Sequence, residues 1–517
     1  NGTTGDNREV IGNISVRSGK WYYEATFEPG GTAGNAGNSD GAGWVCDHGF
    51  GYNGTSAGGF CILARDNGST VIGNASSRHD DAQNSFERFN TGDVLGCAID
   101  LETRVASYYL NGNLYEFSHN FSGRSDLDDQ DFSPFILNRT QPGTVRVNFG
   151  QNPTFSGAFT TAGTYTDSNG KGLFKYQPPE GFLALCGSNL ETPIDDPSKH
   201  FQSVVYDGTA LVGNKITGLK FKPDFVWIKS RQGGVSNSFH SLNDSVMSYD
   251  DNGFSVNYGT YVNNGGGSYV AWCWKGGGDA VKNNDGTIES RISANPTAGF
   301  SIVTWTGDGV NNRTIGHGLG KRPSLILSKR RNSSQSWYVW VDDLTETTLN
   351  NGMTLNTTAV VTTFSYGNFT SLNDTTMTLT SGASNITNVN GRSDTYVAYC
   401  WSEIEGYSKI GTYTGNGNAD GPFVYCGFKP AFLMVKITDP VGQERDWHIY
   451  DSTREPNNPV GYNLRPSSSV EEYNEPGFDF LSNGFKVRST YVFSNYNTGT
   501  FMFMAFAESP FKYANAK

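Results

Sequence analysis

No window of the chain holds the roughly 18 uninterrupted apolar residues that a membrane helix requires, and no succession of charged, apolar and small residues marks a signal peptide. A soluble chain without a membrane partner is expected. Basic clusters are as scarce: the net charge is −12, and the one run, Lys329-Arg330-Arg331, reads as a solvated strand end. Binding nucleic acid by neutralising phosphates needs clustered Lys and Arg, so no nucleic-acid partner is expected.

Cysteine is sparse too. The seven residues, at 46, 61, 97, 186, 273, 400 and 426, form no Cys-x-x-Cys pair, which argues against a zinc site or a disulfide framework. Cys97, Cys186, Cys273 and Cys400 sit in apolar runs, where cysteine acts as a small buried hydrophobe; this suits assembly in a reducing cytoplasm. The seven histidines never form a close pair and His-Glu-x-x-His is absent, so no histidine-based metal site is supported. No cofactor is expected.

What the chain has in quantity is glycine (64 of 517 residues) and aromatics (13%). The aromatics recur in short alternating runs bounded by Gly, Asn, Asp, Ser and Thr, a β pattern rather than a helical one. The length implies three or four domains. The chain starts at Asn1 without a methionine, and its beginning is treated as a cut edge.

From residue 1 to 186, strand-like runs alternate with glycine-rich turns at the spacing of a β-sandwich. Asn111-Gly112, between Tyr108-Tyr109-Leu110 and Leu114-Tyr115, supplies the positive φ angles of a type I′ hairpin turn. The succession Ser18-Gly19-Lys20-Trp21-Tyr22-Tyr23-Glu24, Gly92 to Asp100, Tyr108 to Gly112, Pro134-Phe135 and Val147-Asn148-Phe149-Gly150 resembles SPRY domains in order and spacing. The resemblance implies a bent sandwich without catalysis of its own, binding partners through loops at one rim. It departs from the family in that little precedes Asn7-Arg8-Glu9-Val10, where a first strand belongs.

The candidate rim is formed by the long loops Gly30 to Gly54, with Trp44, Asp47, His48 and Tyr52, and Asn111 to Pro134. Aromatics beside short polar groups suit a carbohydrate or protein contact. A plainer reading leaves Trp44 in the core and the loops solvated.

Residues 187–200 read as a polar linker. Beyond them one plan recurs three times, over 201–276 (a short copy), 277–403 and 404–517. Each copy opens with an aromatic and a glycine turn: Tyr206-Asp207-Gly208, Trp305-Thr306-Gly307 and Tyr413-Thr414-Gly415. A proline-led strand follows, over Phe225 to Lys229, Leu325 to Lys329 and Phe432 to Lys436, apolar on both faces and therefore expected to be buried on both. Closing strands end the copies: Tyr269 to Trp274, Tyr396 to Trp401 and Phe501 to Phe506. Asn252-Gly253-Phe254 and Asn483-Gly484-Phe485 match each other, with Ser381-Gly382-Ala383 in their place in the second copy. The expected fold class is all-β: a SPRY-like bent sandwich, then tandem antiparallel β-sandwich repeats.

These repeats, closing on Phe506 to Ala516, resemble the C-terminal repeats of tail fibre and other virion proteins of marine bacteriophages, which often carry a SPRY-like domain upstream. The resemblance implies a virion structural protein, assembled in the host cytoplasm, contacting other virion proteins and a host surface glycan or protein. Homotrimerisation is the usual solution of fibres and stands as an expectation. A tail fibre or appendage is the leading reading; a capsid decoration or head fibre and an envelope-polysaccharide depolymerase are the alternatives.

Signs of catalysis are weak. Gly37-Asn38-Ser39-Asp40-Gly41 lacks the strand-to-helix context of a nucleophile elbow. Asp126, Asp128, Asp129 and Asp131 could ligate calcium, but the glycine and final glutamate of an EF-hand loop are missing, and an acidic surface loop is the preferred reading. Trp447-His448-Ile449-Tyr450-Asp451 parallels Trp337 to Asp342, with His448 replaced by Tyr338, so the pattern reads as scaffold. Two carboxylates across a cleft, as glycosidases need, cannot be located from the sequence. The chain is expected not to be an enzyme.

Overall fold

The computed structural model describes residues 8–12, 14–28, 41–46, 60–65, 70–74, 77–79, 90, 92–124, 127, 130–138, 144–190, 193–232, 246–257, 262–342, 351–363, 368–381, 388–439 and 445–510. The chain divides into two compact units, 1–190 and 191–517, and is all-β.

The first unit comprises strands β1 (Arg8–Ile11), β2 (Lys20–Glu28), β3 (Gly41–Cys46), β4 (Phe60–Arg65), β5 (Thr70–Asn74), β6 (Ser77–His79), β7 (Val94–Asp100), β8 (Val105–Leu110), β9 (Asn113–Asn120), β10 (Phe132–Asn138), β11 (Thr144–Asn148) and β12 (Leu183–Ala184). They form two sheets, ordered β1-β10-β3-β4-β5-β6 and β11-β2-β7-β8-β9, with β12 parallel to β2. Alternation along β2 sends successive side chains to opposite faces. Tyr23 faces the other sheet, donating its hydroxyl to the Gly43 carbonyl at 2.6 Å. Its neighbours Tyr22 and Glu24 face a layer made by the chain after β11: Tyr22 packs edge-on against Phe174 at 5.2 Å, and Glu24 accepts the backbone N–H groups of Lys175 (2.9 Å) and Tyr176 (2.8 Å).

Asn111 and Gly112 take φ of 50° and 83°, as a type I′ turn requires. The span from Asn111 to Pro134, expected as a loop, instead holds β9 and the start of β10, because the tight Asn-Gly turn returns the chain directly along β8.

The polar stretch 187–200 packs at both ends. Asn189 donates to Asp167 at 2.5 Å within the first unit, while Ile194 is buried in the second.

In the second unit the first copy is β13 (Phe201–Asp207), β14 (Asn214–Thr217), β15 (Phe225–Ser230), β16 (Val246–Asp250), β17 (Gly253–Val256) and β18 (Ser268–Trp274). The second is β19 (Val281–Asn283), β20 (Ser290–Asn295), β21 (Phe300–Thr306), β22 (Arg313–Gly316), β23 (Leu325–Arg330), β24 (Tyr338–Val341), β25 (Asn351–Thr354), β26 (Thr362–Thr363), β27 (Phe369–Leu372), β28 (Thr376–Leu379) and β29 (Thr395–Trp401). The third is β30 (Ser408–Thr414), β31 (Phe423–Tyr425), β32 (Phe428–Ile437), β33 (His448–Asp451), β34 (Val460–Asn463), β35 (Tyr473–Leu481), β36 (Gly484–Val487), a short helix α1 (Val492–Asn495) and β37 (Thr500–Pro510).

Each copy is a two-sheet sandwich. The inner sheets contain β13-β18-β15, β21-β29-β23-β24 and β30-β37-β32-β33; the outer ones are β14-β17-β16, β22-β28-β27 and β31-β36-β35-β34. The closing strand is thus central in every inner sheet, which is why residues 269–274, 396–401 and 501–507 are apolar throughout. Tyr269, Ala271 and Cys273 face their own outer sheet, whereas Val270, Trp272 and Trp274 face the other copies. β15, the proline-led strand of the first copy, is buried at all six positions, in accord with its two-faced apolar sequence.

The three inner sheets meet in one shared core. Registers make Trp274, Trp401 and Phe506 equivalent, facing Phe225, Leu325 and Phe432 across the strand pair. Trp274 lies 6.0 Å from Trp401 and 5.6 Å from Phe506, ring centre to ring centre. The same contact recurs in cyclic sense: Phe225 stacks on Tyr399 of the second copy at 4.2 Å, and its counterpart Phe432 meets Trp272, the counterpart of Tyr399, in the first copy at 5.8 Å. A second contact repeats as well. Lys229, on the proline-led strand of the first copy, donates to the Ser468 carbonyl of the third copy (2.6 Å), and its counterpart Lys436 donates to the Thr358 carbonyl of the second (2.6 Å). The copies are therefore related by a pseudo-threefold rotation and bury their inner faces against one another within a single chain.

The structure also corrects two alignments between copies. The second-copy counterpart of Phe254 and Phe485 is Met377, which faces Ile315 as they face Ile216 and Val424; the hairpin at 373–376 takes the place assigned to Ser381-Gly382-Ala383. Asp451 and Asp342 are not equivalent either. Asp451 faces Phe432 as Val341 faces Leu325, so Asp451 stands on an inner-face position where the second copy has valine.

Candidate functional site

Trp44, a rim candidate by sequence with the core as the plainer reading, is a core residue of β3 with no exposed surface, packed edge-on against Tyr23 at 5.3 Å. An alternating strand with both faces covered leaves its indole no route to a rim. Asp47, His48 and Tyr52 lie outside the described residues, as do Asp126, Asp128, Asp129 and residues 37–40 of the Gly-x-Ser-x-Gly match. Asp131 pairs with Arg17 at 2.9 Å, which commits its carboxylate to an ion pair. Among the described residues no three His, Cys, Asp or Glu side chains gather as a metal site would require.

The titratable groups in the second unit's interior are structural. His448 is buried, its Nδ1 3.1 Å from the Asn463 amide oxygen and its ring stacked on Phe493 at 4.3 Å; burial, reinforced by Arg465, pushes its pKa down to about 3. It therefore stays neutral. Arg454, fully buried, binds Asp451 (2.6 Å) and Glu472 (2.8 Å), and Glu472 also binds Arg231 of the first copy at 2.7 Å. Every charge in this network is paired, as buried charges must be.

What the three copies share beyond their strands is one loop device. A fully buried asparagine, Asn263, Asn390 or Asn495, clamps the loop that follows the first strand common to the copies, β13, β21 or β30. Asn263 accepts from the Thr209 N–H (2.8 Å) and donates to the Leu211 carbonyl (2.7 Å). Asn390 does so with Asp308 (3.1 Å) and Val310 (2.8 Å), and Asn495 with Asn416 (2.8 Å) and Asn418 (2.7 Å).

Beside each clamp an aromatic of the first strand donates to the carbonyl preceding the asparagine: Tyr206 to Val262 (2.8 Å), Trp305 to Val389 (2.9 Å) and Tyr413 to Ser494 (2.8 Å). The same aromatics stack on the closing strand, Tyr206 on Tyr269, Trp305 on Tyr396 and Tyr413 on Phe501, at 5.3, 5.2 and 5.0 Å. The opening glycine is forced by the fit. A Cβ on Gly208, Gly307 or Gly415 would lie 2.0, 2.3 or 2.3 Å from a backbone oxygen.

Rotation about an axis preserves height along it, so the three clamped loops stand at one end of the unit. Their frames agree while their tips differ. The first presents Leu211 and Val212, each 67% exposed. The second presents Val310 and Asn311, beside an Asp308–Arg313 ion pair of 2.6 Å. The third presents Asn416 and Asn418, with Asp420 held by Lys486 at 2.8 Å. Rigid backbone under variable exposed tips is how scaffolded loops make binding surfaces. The sequence did contain a signal for the clamp: an asparagine six residues before the closing-strand aromatic in every copy (263 to 269, 390 to 396, 495 to 501).

Residues 20–152 match the SPRY domain, and residues 196–246 and 235–510 match a domain of unknown function, DUF7483. No curated protein matches the chain. Among solved structures, similar chains include the SPRY domain of human HERC1 (20% identity over 28% of this chain and 83% of that one, TM-score 0.21) and the TRIM65 PSpry domain (14% identity over 27% and 69%, TM-score 0.19). Stonustoxin is also similar (14% identity over 27% and 21%, TM-score 0.19). The SPRY match is consistent with a non-catalytic first unit. The chain belongs to the DUF7483 family, whose domain spans its three-copy unit, and carries a SPRY-like sandwich ahead of it.

Proposed function

We propose that the protein is a non-enzymatic structural component of a bacteriophage virion, a tail fibre or appendage that touches the host surface through the clamped loops. The observation that carries the adhesive part is the repeated asparagine clamp: three loops held on identical frames, at one end of one unit, with unlike exposed tips. Preorganised loops lose little entropy on binding, and several weak contacts on one rigid body add by avidity. The virion part is supported by the resemblance of the repeats, with a SPRY-like domain upstream, to marine phage fibre proteins.

Burial of the inner faces within one chain sharpens the expectation of a homotrimer. The second unit already supplies three sandwiches about one axis, so its apolar faces need no further copies; trimerisation, where it occurs, would rest on other surfaces.

Immunogold or cryo-electron microscopy of the intact particle tests the assignment. Density or label at the tail tip or an appendage supports it, label on the capsid shell favours a decoration protein, and absence from the particle overturns it. Shortened host polysaccharide after incubation with the purified chain would instead favour a depolymerase.

A further inference from the structure

The third copy contains a pocket of about 250 Å³ beneath the loop that follows β33, lined by Lys429, Ser452, Glu455, Asn457, Val460 and Phe480, with Pro456 and Asn458 beside them. Its frame is fixed from behind. Asn458 is tied to Phe480 twice, its amide donating to the Phe480 carbonyl (3.0 Å) and its oxygen accepting the Phe480 N–H (2.8 Å). One oxygen of Glu455 accepts the N–H groups of Gly461 (2.6 Å) and Tyr462 (2.9 Å). Lys429, 7% exposed, is held by Glu508 at 2.8 Å.

We infer that this pocket binds one neutral sugar ring. The chemistry follows from what the frame leaves over. An ammonium has three donors and Glu508 takes one. The second oxygen of Glu455, the Ser452 hydroxyl and the Asn457 amide add acceptors and donors. Adjacent donors and acceptors on a rigid wall are what vicinal hydroxyls require, since each hydroxyl both donates and accepts. Val460 and Phe480, both almost fully buried, close the inner wall of the pocket and keep it rigid.

Charge selects against ions: the lining carries one ammonium and one carboxylate, so an anion meets Glu455 and a cation meets Lys429. Size selects a single ring, because the volume falls just below the roughly 300 Å³ at which drug-sized pockets begin. The inference rests on the adhesive reading for the biological source of the sugar and on the pocket alone for its chemistry.

The test is saturation-transfer NMR on the full chain with the methyl glycosides of glucose, galactose, mannose and N-acetylglucosamine, and with methyl glucuronide as the anionic arm. Transfer to at least one neutral glycoside is expected, at a Kd of about 1 mM, with glucuronide about tenfold weaker. Asn457→Trp, at an exposed position, should abolish transfer while thermal unfolding stays unchanged, and Ser452→Ala should weaken it severalfold. No transfer from any neutral glycoside, equal binding of glucuronide, or retained binding in Asn457→Trp overturns the inference. The double variant Leu211→Ser/Val212→Ser separates the two readings: it should keep sugar transfer and weaken host-cell binding severalfold. Cell binding without sugar transfer removes the pocket alone, and sugar transfer without cell binding removes the adhesive reading alone.

Discussion

The Trp272 indole N–H donates to the Asp451 carboxylate at 3.0 Å, joining the first copy of the repeat to the third through a buried charge. Arg454 lies against the same tryptophan, its guanidinium 5.7 Å from the ring centre. This junction is polar where the equivalent position of the second copy, Val341, is apolar. Trp272→Phe removes one hydrogen bond to a charged group and is expected to cost about 2 kcal/mol. Arg454→Met leaves Asp451 buried without its cation and takes one of two from Glu472, which keeps Arg231, and is expected to cost about 3–5 kcal/mol. Chemical denaturation of the full chain, followed by tryptophan fluorescence, measures both.

The asparagine clamps make a prediction that a generic core residue would not. Asn390→Ala strips partners from the backbone groups of Asp308 and Val310 and should cost about 1–3 kcal/mol. Hydrogen exchange should quicken over 307–312 while the closing strand Thr395–Trp401 stays protected. Gly307→Ala, whose added methyl meets the Gly391 carbonyl at 2.3 Å, should release the same loop.

His448 ties the second unit's stability to acid. Its folded pKa of about 3 lies below the ordinary value of 6.5, so its contribution is complete above pH 6.5 and is lost as pH falls toward 3. The full effect is about 5 kcal/mol. His448→Tyr, which installs the residue the second copy carries at Tyr338, should flatten stability against pH across that window. Thermal unfolding from pH 3 to 7 checks this.

Glu24 in the first unit runs the other way. Burial raises its pKa to about 7, against the pull of the Lys175 and Tyr176 N–H groups. A raised carboxyl pKa stabilises the fold below about pH 4.5 and loses that stabilisation as pH rises through 7, by about 3 kcal/mol. Glu24→Gln should abolish the slope. Hydrogen exchange of β2 and of residues 174–176 across pH 4.5–8 reads the first unit separately from the second.

Strands and turns were legible because local chemistry fixes them: the Asn111-Gly112 turn, the proline-led strands and the closing strands stand where alternation puts them. The clamp was present in the sequence as well, yet a single buried asparagine has no periodicity, and its meaning emerges only when the loop it holds is in view. The closure of three inner sheets was half visible. Strands apolar on both faces announced a second partner surface, but whether neighbouring copies or other chains supply it is a long-range matter that no local pattern encodes. Trp44 failed as a rim residue because an aromatic in a glycine-rich setting reads alike whether it is presented or buried. Asp451 was aligned with Asp342 because the Trp-x-x-x-x-Asp and Trp-x-x-x-Asp spacings look interchangeable on paper, while strand register separates them by one residue and one face.

The most direct test of the proposed adhesion is binding of the purified full chain to bacterial cells, measured beside a variant with the exposed apolar tips blunted: Leu211→Ser, Val212→Ser and Val310→Ser. The variant should unfold at nearly the same temperature and lose cell binding by about tenfold or more. Cell binding equal to that of the unaltered chain would contradict the assignment of adhesion to the clamped loops.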